Sequence, residues 1–257
     1  KKNNYSEDEI EFSSRPEIDR WILSELNTLI KNVDKFYSEY DPTKVARTIS
    51  DFTVEILSNW YVRLSRRRFW KGDYESDKIS AYQTLYTCLI TISKLAAPIA
   101  PFFMDKLYLD LTKNISKTNH ESVHLTTFPI SNELLIDSDL ERKMKYAQKI
   151  SSLTLSLRAK EKIKVRQPLN KIMIPVSSHN QKNEIQAVSD LIKNEVNVKE
   201  IELLEGGSDI LVKKIKPNFK TLGPKHGRLM KEISNVVSNL NAEDIKKLEQ
   251  TGNIELA

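Results

Sequence analysis

Arginine and aromatic side chains are interleaved in one short stretch of the chain, NWYVRLSRRRFW, which occupies residues 59–70. Guanidinium groups bind phosphate in a bidentate manner, and exposed aromatic rings stack on unpaired bases. Single-stranded loops of RNA present both groups, so these residue types at this spacing favour contact with RNA. The candidate contact residues of this stretch and its flank are Asn59, Arg63, Arg66, Arg67, Arg68, Trp70, Lys71 and Tyr74.

The arginine cluster also has explanations that involve no ligand. Cations at the C-terminal end of a helix complement the helix dipole, and basic runs are often solvated surface. Arginines are almost never buried unpaired, so either acids of a neighbouring helix pair with them or the helix end faces a polyanion. Two details favour the polyanion: Arg63 and Arg67 continue the apolar face of the helix at about 100° per residue, and aromatic residues lie between the arginines.

Two amphipathic helices lead up to this cluster. The first is predicted to begin at a capping box, in which Ser14 caps the helix and Glu17 follows three residues later. Asp41 and Pro42 end that helix and begin the second one, with Asp as the cap and Pro at the first helical position.

Together with the first two helices, the elements that follow predict an up-and-down bundle of three long helices and one short helix. Because Trp60 is in phase with the apolar face, it is predicted in the core, whereas Trp70 is the better candidate for stacking. The apolar face consists of Val45, Ile49, Phe52, Ile56 and Trp60. The third helix is predicted to be capped by Ser76 or Asp77, with core positions at Ile79, Tyr82, Leu85, Tyr86, Leu89, Ile92 and Leu95. Two prolines in AAPIAPFF break it before the short helix.

The second half of the chain alternates helices with short strands. A helix is predicted over residues 137–162, a strand at KIMIPV, a helix near residues 183–195 and a strand at VKEIELLE. A turn then leads to ILVKKI, which predicts a hairpin. This pattern indicates that a small α+β domain follows the bundle, in a chain that is mainly α. A second basic stretch, RAKEKIKVRQPLNK, adds candidate RNA contacts at Lys160, Lys162, Lys164 and Arg166.

Composition excludes several kinds of site. The chain has 257 residues and a net charge of +5, and no apolar run approaches the roughly 20 residues that span a bilayer. The single cysteine, Cys88, is predicted in the core, and the four histidines lack metal-ligand spacing. There is no glycine-rich phosphate loop and no nucleophile beside a base. We therefore expect no catalytic residue, metal or cofactor here. We also expect a monomer in the cytoplasm.

Seven phrases of the sequence, in order, resemble the C-terminal part of the isoleucyl-tRNA synthetases, which are class I aminoacyl-tRNA synthetases. They extend from about Ser14 to about Gly227. The phrases are DRWILSELNTLI, LSNWYVRLSRRRFW, LAAPIAPFFMDKLY, SVHLTTFP, IKVRQPLNKIMIP, EVNVKEIELL and KPNFKTLGPKHG. APIAPF is also similar to the valyl and leucyl enzymes, whereas NWYVRLSRRRFW looks more like the isoleucyl than the valyl enzyme.

The resemblance implies a division of the chain and a role for it. The implied parts are the end of a preceding domain (1–13), a helical anticodon-binding domain (14–120), a connecting segment (121–145) and a small α/β junction domain, truncated at its C-terminus (146–257). The HIGH and KMSKS signatures do not occur in this sequence, so the ATP and Mg²⁺ of the full-length enzyme are expected to bind elsewhere. This chain would be an inactive fragment of an isoleucine–tRNA ligase that holds the anticodon stem-loop of an isoleucine-accepting tRNA.

Specific roles follow as hypotheses. The arginines and Lys71 would contact phosphates or base edges of the anticodon loop, Trp70 and Tyr74 would stack on a base, and the second basic stretch would follow the stem. Two alternatives remain open. One is the equivalent region of a valyl or leucyl ligase, which a change of anticodon would reveal. The other is a helical protein-interaction module, whose RNA binding would be weak and without anticodon preference.

Overall fold

The computed structural model describes residues 9–71, 75–113, 120–205, 215–240, 244–245, 247–248 and 252–253. The chain divides into two compact units, Lys1–Ser156 and Leu157–Ala257. The first is a helix bundle and the second combines helices with a small sheet, as the sequence predicted. In the described part of the chain, every helix is too short or too polar to cross a membrane.

The helices of the first unit pack their apolar faces against one another. They are α1 (Glu17–Ser38), α2 (Pro42–Asp51), a π-helical segment (Phe52–Val62), α3 (Arg66–Trp70), α4 (Ser76–Ala96), α5 (Pro101–Thr112) and the first part of α6 (Ser138–Lys160). Helix α1 packs against both α2 and α4, and α4 also packs against α5. The centre of the core is provided by α1, whose fully or almost fully buried side chains are Trp21, Ile22, Leu26, Leu29 and Val33.

One of the three predicted helix caps is present, since α4 has Glu75 at its N-cap position and no side-chain cap from Ser76 or Asp77. Asp41 caps α2, because its carboxylate accepts a 2.9 Å hydrogen bond from the backbone N–H of Lys44, and Pro42 is the first helical residue. The predicted capping box at Ser14 is wrong. Ser14 ends a 3₁₀ turn, Phe12–Ser14, and α1 begins after Pro16 without a side-chain cap. Pro16 occupies the N-cap position with an extended ψ of 151°, so the helix begins two residues later than the capping box predicts.

The segment after α2 is a π-helix, and it changes which residues face the core. Each turn of a π-helix takes in more residues than an α-helical turn, because its hydrogen bonds join residues i and i+5. Trp60 is buried as predicted, but the buried face then continues at four-residue steps through Leu57, Tyr61, Ser65 and Phe69. Arg63 and Arg67 are exposed to one side of this face. The prediction that they extend the apolar face was therefore wrong.

Helix α4 buries a different face from the predicted one. Of the predicted core positions only Ile92 and Leu95 are buried, and Tyr82 is 38% exposed. Besides Ile92 and Leu95, the buried positions of the helix hold small or hydroxylated residues, namely Ser80, Ala81, Thr84, Cys88, Ser93 and Ala96. Hydroxyl groups are required on this face because buried charged residues of the N-terminal region, Arg15 and Asp19, bond to it.

The second unit contains a parallel two-stranded sheet. Strand β1 (Leu169–Val176) pairs with β2 (Val198–Glu205), with Ile172 opposite Ile201. The connection is made by α7 (His179–Ala187) and α8 (Ser189–Val196), which replace the single helix predicted there. Parallel strands need such a crossover, and its apolar side chains cover the sheet. All but the last residue of the predicted hairpin partner ILVKKI lies outside the described residues.

The C-terminal part of the second unit is helical. Helix α9 (Phe219–His226), a 3₁₀ turn (Gly227–Leu229) and α10 (Met230–Ser238) follow one another. Helix α9 includes Pro224 within its length. The core of the unit lies between the crossover helices and the sheet, where the buried side chains are Val176, Ile185, Val188, Ile192, Val196 and Val198.

Candidate nucleic-acid interface

Most of the arginine cluster lies on α3, a five-residue helix that is fixed by its inner face. Phe69 is only 5% exposed and forms edge-on or tilted ring contacts with Tyr61 and Tyr82, at centroid distances of 6.4 and 5.4 Å. The hydroxyl of Tyr82 also donates a 3.0 Å hydrogen bond to the backbone oxygen of Phe69. Helix α3 is therefore held to α4 and to the π segment by aromatic packing.

Arg68 is the second inward-facing residue of α3, and it differs from the other arginines. Its guanidinium forms a two-pronged pair with Asp19, with Nη1–Oδ1 at 2.6 Å and Nη2–Oδ2 at 2.8 Å. Its Nε donates to Asp77 at 3.0 Å, and Nη2 also donates to the backbone oxygen of Asp77 at 2.9 Å. Acids of α1 and α4 already occupy the donors of Arg68, so we do not keep it in the proposed set of RNA contacts.

Asp19 is fully buried and takes part in a network that joins four elements of the bundle. Besides Arg68, it accepts hydrogen bonds from the hydroxyls of Tyr61 at 2.8 Å and Ser80 at 2.5 Å. Burial and the negative charge of Asp19 raise the pKa of Tyr61 above its ordinary value, so the phenol remains a donor. Sequence analysis missed Asp19, although one acidic residue on the apolar stripe of α1 was a visible signal.

The remaining side chains of the cluster are exposed. Trp70 is 75% exposed and touches the buried Phe69 ring edge-on, at 6.1 Å between centroids. Within the described residues, the side chains of Arg66 and Arg67 have no hydrogen bond or ion pair. Together with the exposed Lys71 they form a basic surface around one aromatic ring. We call Arg66, Arg67, Trp70 and Lys71 the α3 surface.

Two further candidates precede the α3 surface in the sequence: Asn59 lies on the π-helical segment and Arg63 directly follows that segment. Both are exposed. Asn59 donates to Glu55 at 3.3 Å, and the Nε of Arg63 donates to the backbone oxygen of Asn59 at 2.8 Å. The guanidinium of Arg63 also lies 5.7 Å from the ring centre of Trp60, within cation–π range. Tyr74 lies outside the described residues.

The second basic stretch forms a turn around a buried arginine. Arg158 is 2% exposed, and its guanidinium donates to three backbone oxygens: Lys164 at 3.2 Å, Gln167 at 3.1 Å and Asn197 at 2.9 Å. The turn includes a left-handed residue, Lys162, with φ 56°. All four predicted candidates on it are exposed, namely Lys160, Lys162, Lys164 and Arg166. The sequence did not distinguish Arg158 from these cations, because all of them lie in one charged run.

Other ionisable groups were compared with the requirements of a metal site within the part of the chain that the structure describes. No group of three or more His, Cys, Asp or Glu side chains is arranged there to hold a metal ion. Cys88 is fully buried, and burial raises the pKa of its thiol, so the prediction of a core cysteine is confirmed. Burial, together with the charge of Glu141, raises the pKa of Glu25 to about 7, but Glu25 contacts Trp21 within the bundle.

Comparisons with known proteins are consistent with this arrangement. A family model described as the anticodon-binding domain of tRNA ligase matches residues 19–174. The chain is 55% identical over 246 residues to the isoleucine–tRNA ligase of Cytophaga hutchinsonii, and the aligned region covers 96% of this chain and 22% of the relative. For the same enzyme of Bacteroides thetaiotaomicron the identity is 54% over 252 residues, covering 98% of this chain and 22% of the relative. For that of Thermus thermophilus it is 39% over 219 residues, covering 85% and 21%.

The chain thus spans about one fifth of the length of these curated relatives. The family model matches more than half of the chain, and the match includes α3 and the turn around Arg158. The chain belongs to the family of anticodon-binding domains of tRNA ligases.

Proposed function

We propose that this chain binds the anticodon stem-loop of an isoleucine-accepting tRNA, as part of a longer isoleucine–tRNA ligase. The observation that carries the proposal is the α3 surface, where cations without a partner among the described residues surround an exposed tryptophan. The inner face of the same helix is fixed by Phe69 and Arg68. A helix that is fixed on its inner side and exposes a basic and aromatic outer side suits an RNA loop, which presents phosphates and unstacked bases.

The individual roles follow from side-chain chemistry. Arg66 and Arg67 bind phosphates or base edges of the anticodon loop, since a guanidinium matches both bidentately. Trp70 stacks on an unpaired base, a contact worth about 1–3 kcal/mol in single-stranded nucleic-acid complexes. Arg63 and Lys71 add phosphate contacts on either side. The remaining members of the proposed loop-binding set are Asn59, as a hydrogen-bonding residue, and Tyr74, as a second stacking residue.

The turn around Arg158 is proposed to bind phosphates of the anticodon stem. Its exposed lysines act as point charges that tolerate many geometries, which suits contacts along a regular RNA backbone. Double-stranded RNA presents little base information in its narrow major groove, so such contacts strengthen binding without reading sequence. The residues of this set are Lys160, Lys162, Lys164 and Arg166.

The parent ligase is proposed to attach isoleucine to its tRNA with ATP and Mg²⁺, as a monomer in the cytoplasm. We assign ATP and Mg²⁺ to parts of the ligase outside this chain, because the HIGH and KMSKS signatures do not occur in this sequence. The chain by itself would bind tRNA and catalyse nothing. The name of the reported relatives supports isoleucine over valine or leucine.

The α3 surface can be tested with single alanine variants of the full chain, binding an isoleucine tRNA transcript over a range of salt concentrations. We expect Arg66→Ala and Arg67→Ala to weaken binding, and the variant that loses a phosphate contact to lower the slope of log affinity against log salt by about 1. Arg47→Ala, which removes an exposed arginine from α2, is the matched control and should bind like wild type. Unchanged affinity and slope in both α3 variants would refute the proposed site.

A further inference from the structure

We propose that Asp19 is a positioning residue for RNA recognition, because it holds α3, through Arg68, in the orientation that presents the α3 surface. This inference rests on the proposed function. Asp19 itself is fully buried on α1 and touches no solvent, so any effect on RNA has to pass through the groups it bonds. The group that links it to the surface is Arg68, whose neighbours in the chain are Arg67 and Phe69.

The carboxylate of Asp19 has its full set of hydrogen bonds. Its Oδ1 accepts from Tyr61 at 2.8 Å and from Arg68 Nη1 at 2.6 Å. Its Oδ2 accepts from Arg68 Nη2 at 2.8 Å and from Ser80 at 2.5 Å. A carboxylate offers about four acceptor sites, so all are used. The donors come from the π segment, α3 and α4, which means that one side chain of α1 sets three elements relative to each other.

Helix α3 needs such a fixed point because its own structure is weak. It has five residues, and Ser65 before it makes no side-chain cap. Isolated helices of that length are not stable in water. Phe69 attaches the helix to α4 through ring packing and through the hydrogen bond from Tyr82 to its backbone oxygen. The two parallel hydrogen bonds between Arg68 and Asp19 fix the plane of the guanidinium, and hence the rotation.

Rotation of α3 matters because the surface residues lie on both sides of Arg68 in the sequence. Neighbouring residues of a helix are separated by about 100° around the axis. A rotation of α3 about its axis therefore changes the direction in which the side chain of Arg67 points, and so its distance from the bound RNA. Arg66 and Trp70, two residues to either side of Arg68, would move with it. A charge-assisted pair in the interior thereby becomes a determinant of how the exposed guanidinium groups are aimed.

The alternative is that Asp19 only stabilises the bundle. A double-mutant cycle separates the two roles, since residues that act through one another are not additive. Asp19→Asn is combined with Arg66→Ala and Arg67→Ala in the full chain, and binding to an isoleucine tRNA transcript is measured at a temperature where circular dichroism shows every variant folded. The matched control is Val33→Ala, which removes buried volume from the same helix.

We expect Asp19→Asn to weaken binding about tenfold in the wild-type background and to have a clearly smaller effect once Arg66 and Arg67 are alanine, because only Trp70 and Lys71 of the α3 surface then remain to be displaced. Val33→Ala should leave binding unchanged. An equal loss in both backgrounds would show a general structural effect and overturn the inference. Wild-type binding by Asp19→Asn, together with weak binding by the arginine variants, would overturn it while the proposed function stands. Wild-type binding by the arginine variants would refute the proposed function itself.

A second variant keeps the inference testable if Asp19→Asn does not fold. Arg68→Lys retains a cation opposite Asp19 but loses the two parallel hydrogen bonds that set the rotation of α3. The same loss of affinity is expected, again clearly smaller in the arginine double-alanine background. Full retention of affinity by Arg68→Lys would show that the charge alone suffices and would overturn the proposed positioning.

Discussion

The stability of the first unit is expected to fall as the pH rises from about 5 to about 8, because of one half-buried carboxyl group. Glu25 lies on α1 beside Trp21, whose indole N–H donates to it at 3.2 Å. Burial, followed by the nearby charge of Glu141, raises the pKa of Glu25 from 4.5 to about 7. The indole hydrogen bond and Lys145 act in the opposite direction but are outweighed.

The sign follows from proton binding. Between pH 4.5 and about 7 the folded chain holds the Glu25 proton while the unfolded chain releases it, so folding binds a proton and is weakened by raising the pH. One unit of pKa corresponds to about 1.4 kcal/mol, and the difference here therefore corresponds to about 3 kcal/mol of unfolding free energy. This contribution is complete below pH 4.5 and lost above pH 7.

Glu25→Gln removes the titration and retains a side chain that can accept the indole hydrogen bond. The assay is urea unfolding followed by tryptophan fluorescence, which reports on the first unit because Trp21, Trp60 and Trp70 all lie in it. We expect the unfolding midpoint of the wild type to fall between pH 5 and pH 8 and that of Glu25→Gln to fall much less. Glu17→Gln, an exposed change on the same helix, is the control and should follow the wild type. The same pH dependence in wild type and Glu25→Gln would refute this reasoning.

Three other predictions concern single residues. Trp70→Ala should weaken RNA binding by about 1–3 kcal/mol without changing the urea midpoint of unfolding, and Trp70→Phe should recover part of the affinity. Equal affinities of the wild type and Trp70→Ala would exclude stacking. Arg158→Met should destabilise the second unit by about 2–4 kcal/mol in hydrogen exchange, since three backbone oxygens lose a charged donor, and unchanged protection of residues 164–167 would contradict this. Cys88 should react with iodoacetamide only after unfolding, because it is fully buried and its thiol pKa is raised; rapid native labelling would contradict the core assignment.

The parts of the fold that sequence predicted best are those in which apolar periodicity is uninterrupted. Helix α1 has its core positions where the spacing of Ile22, Leu26, Leu29 and Val33 put them. The start of α2 was recognised from Asp41, because the capping chemistry is local. The order of a helix bundle followed by a small α+β unit also followed from the pattern of elements.

The failures have two physical causes. A π-helical segment shifts the phase of the helix, and nothing in the periodicity up to Trp60 announces that change, so Arg63 and Arg67 were placed on the wrong face. Buried charge reverses the rule that apolar residues mark the core. Around Asp19 the buried face of α4 carries hydroxyl groups. Arg68 faces inward, although nothing in the sequence distinguishes it from the arginines beside it.

The central claim is that this chain reads an isoleucine anticodon, and one measurement tests it most directly. The full chain is bound to an isoleucine tRNA transcript and to the same transcript carrying a valine anticodon, at two salt concentrations. The account predicts tighter binding of the isoleucine anticodon at both concentrations, because base contacts give a preference that salt does not remove, whereas phosphate contacts weaken equally for both. Equal affinity for the two transcripts at both salt concentrations would contradict the claim.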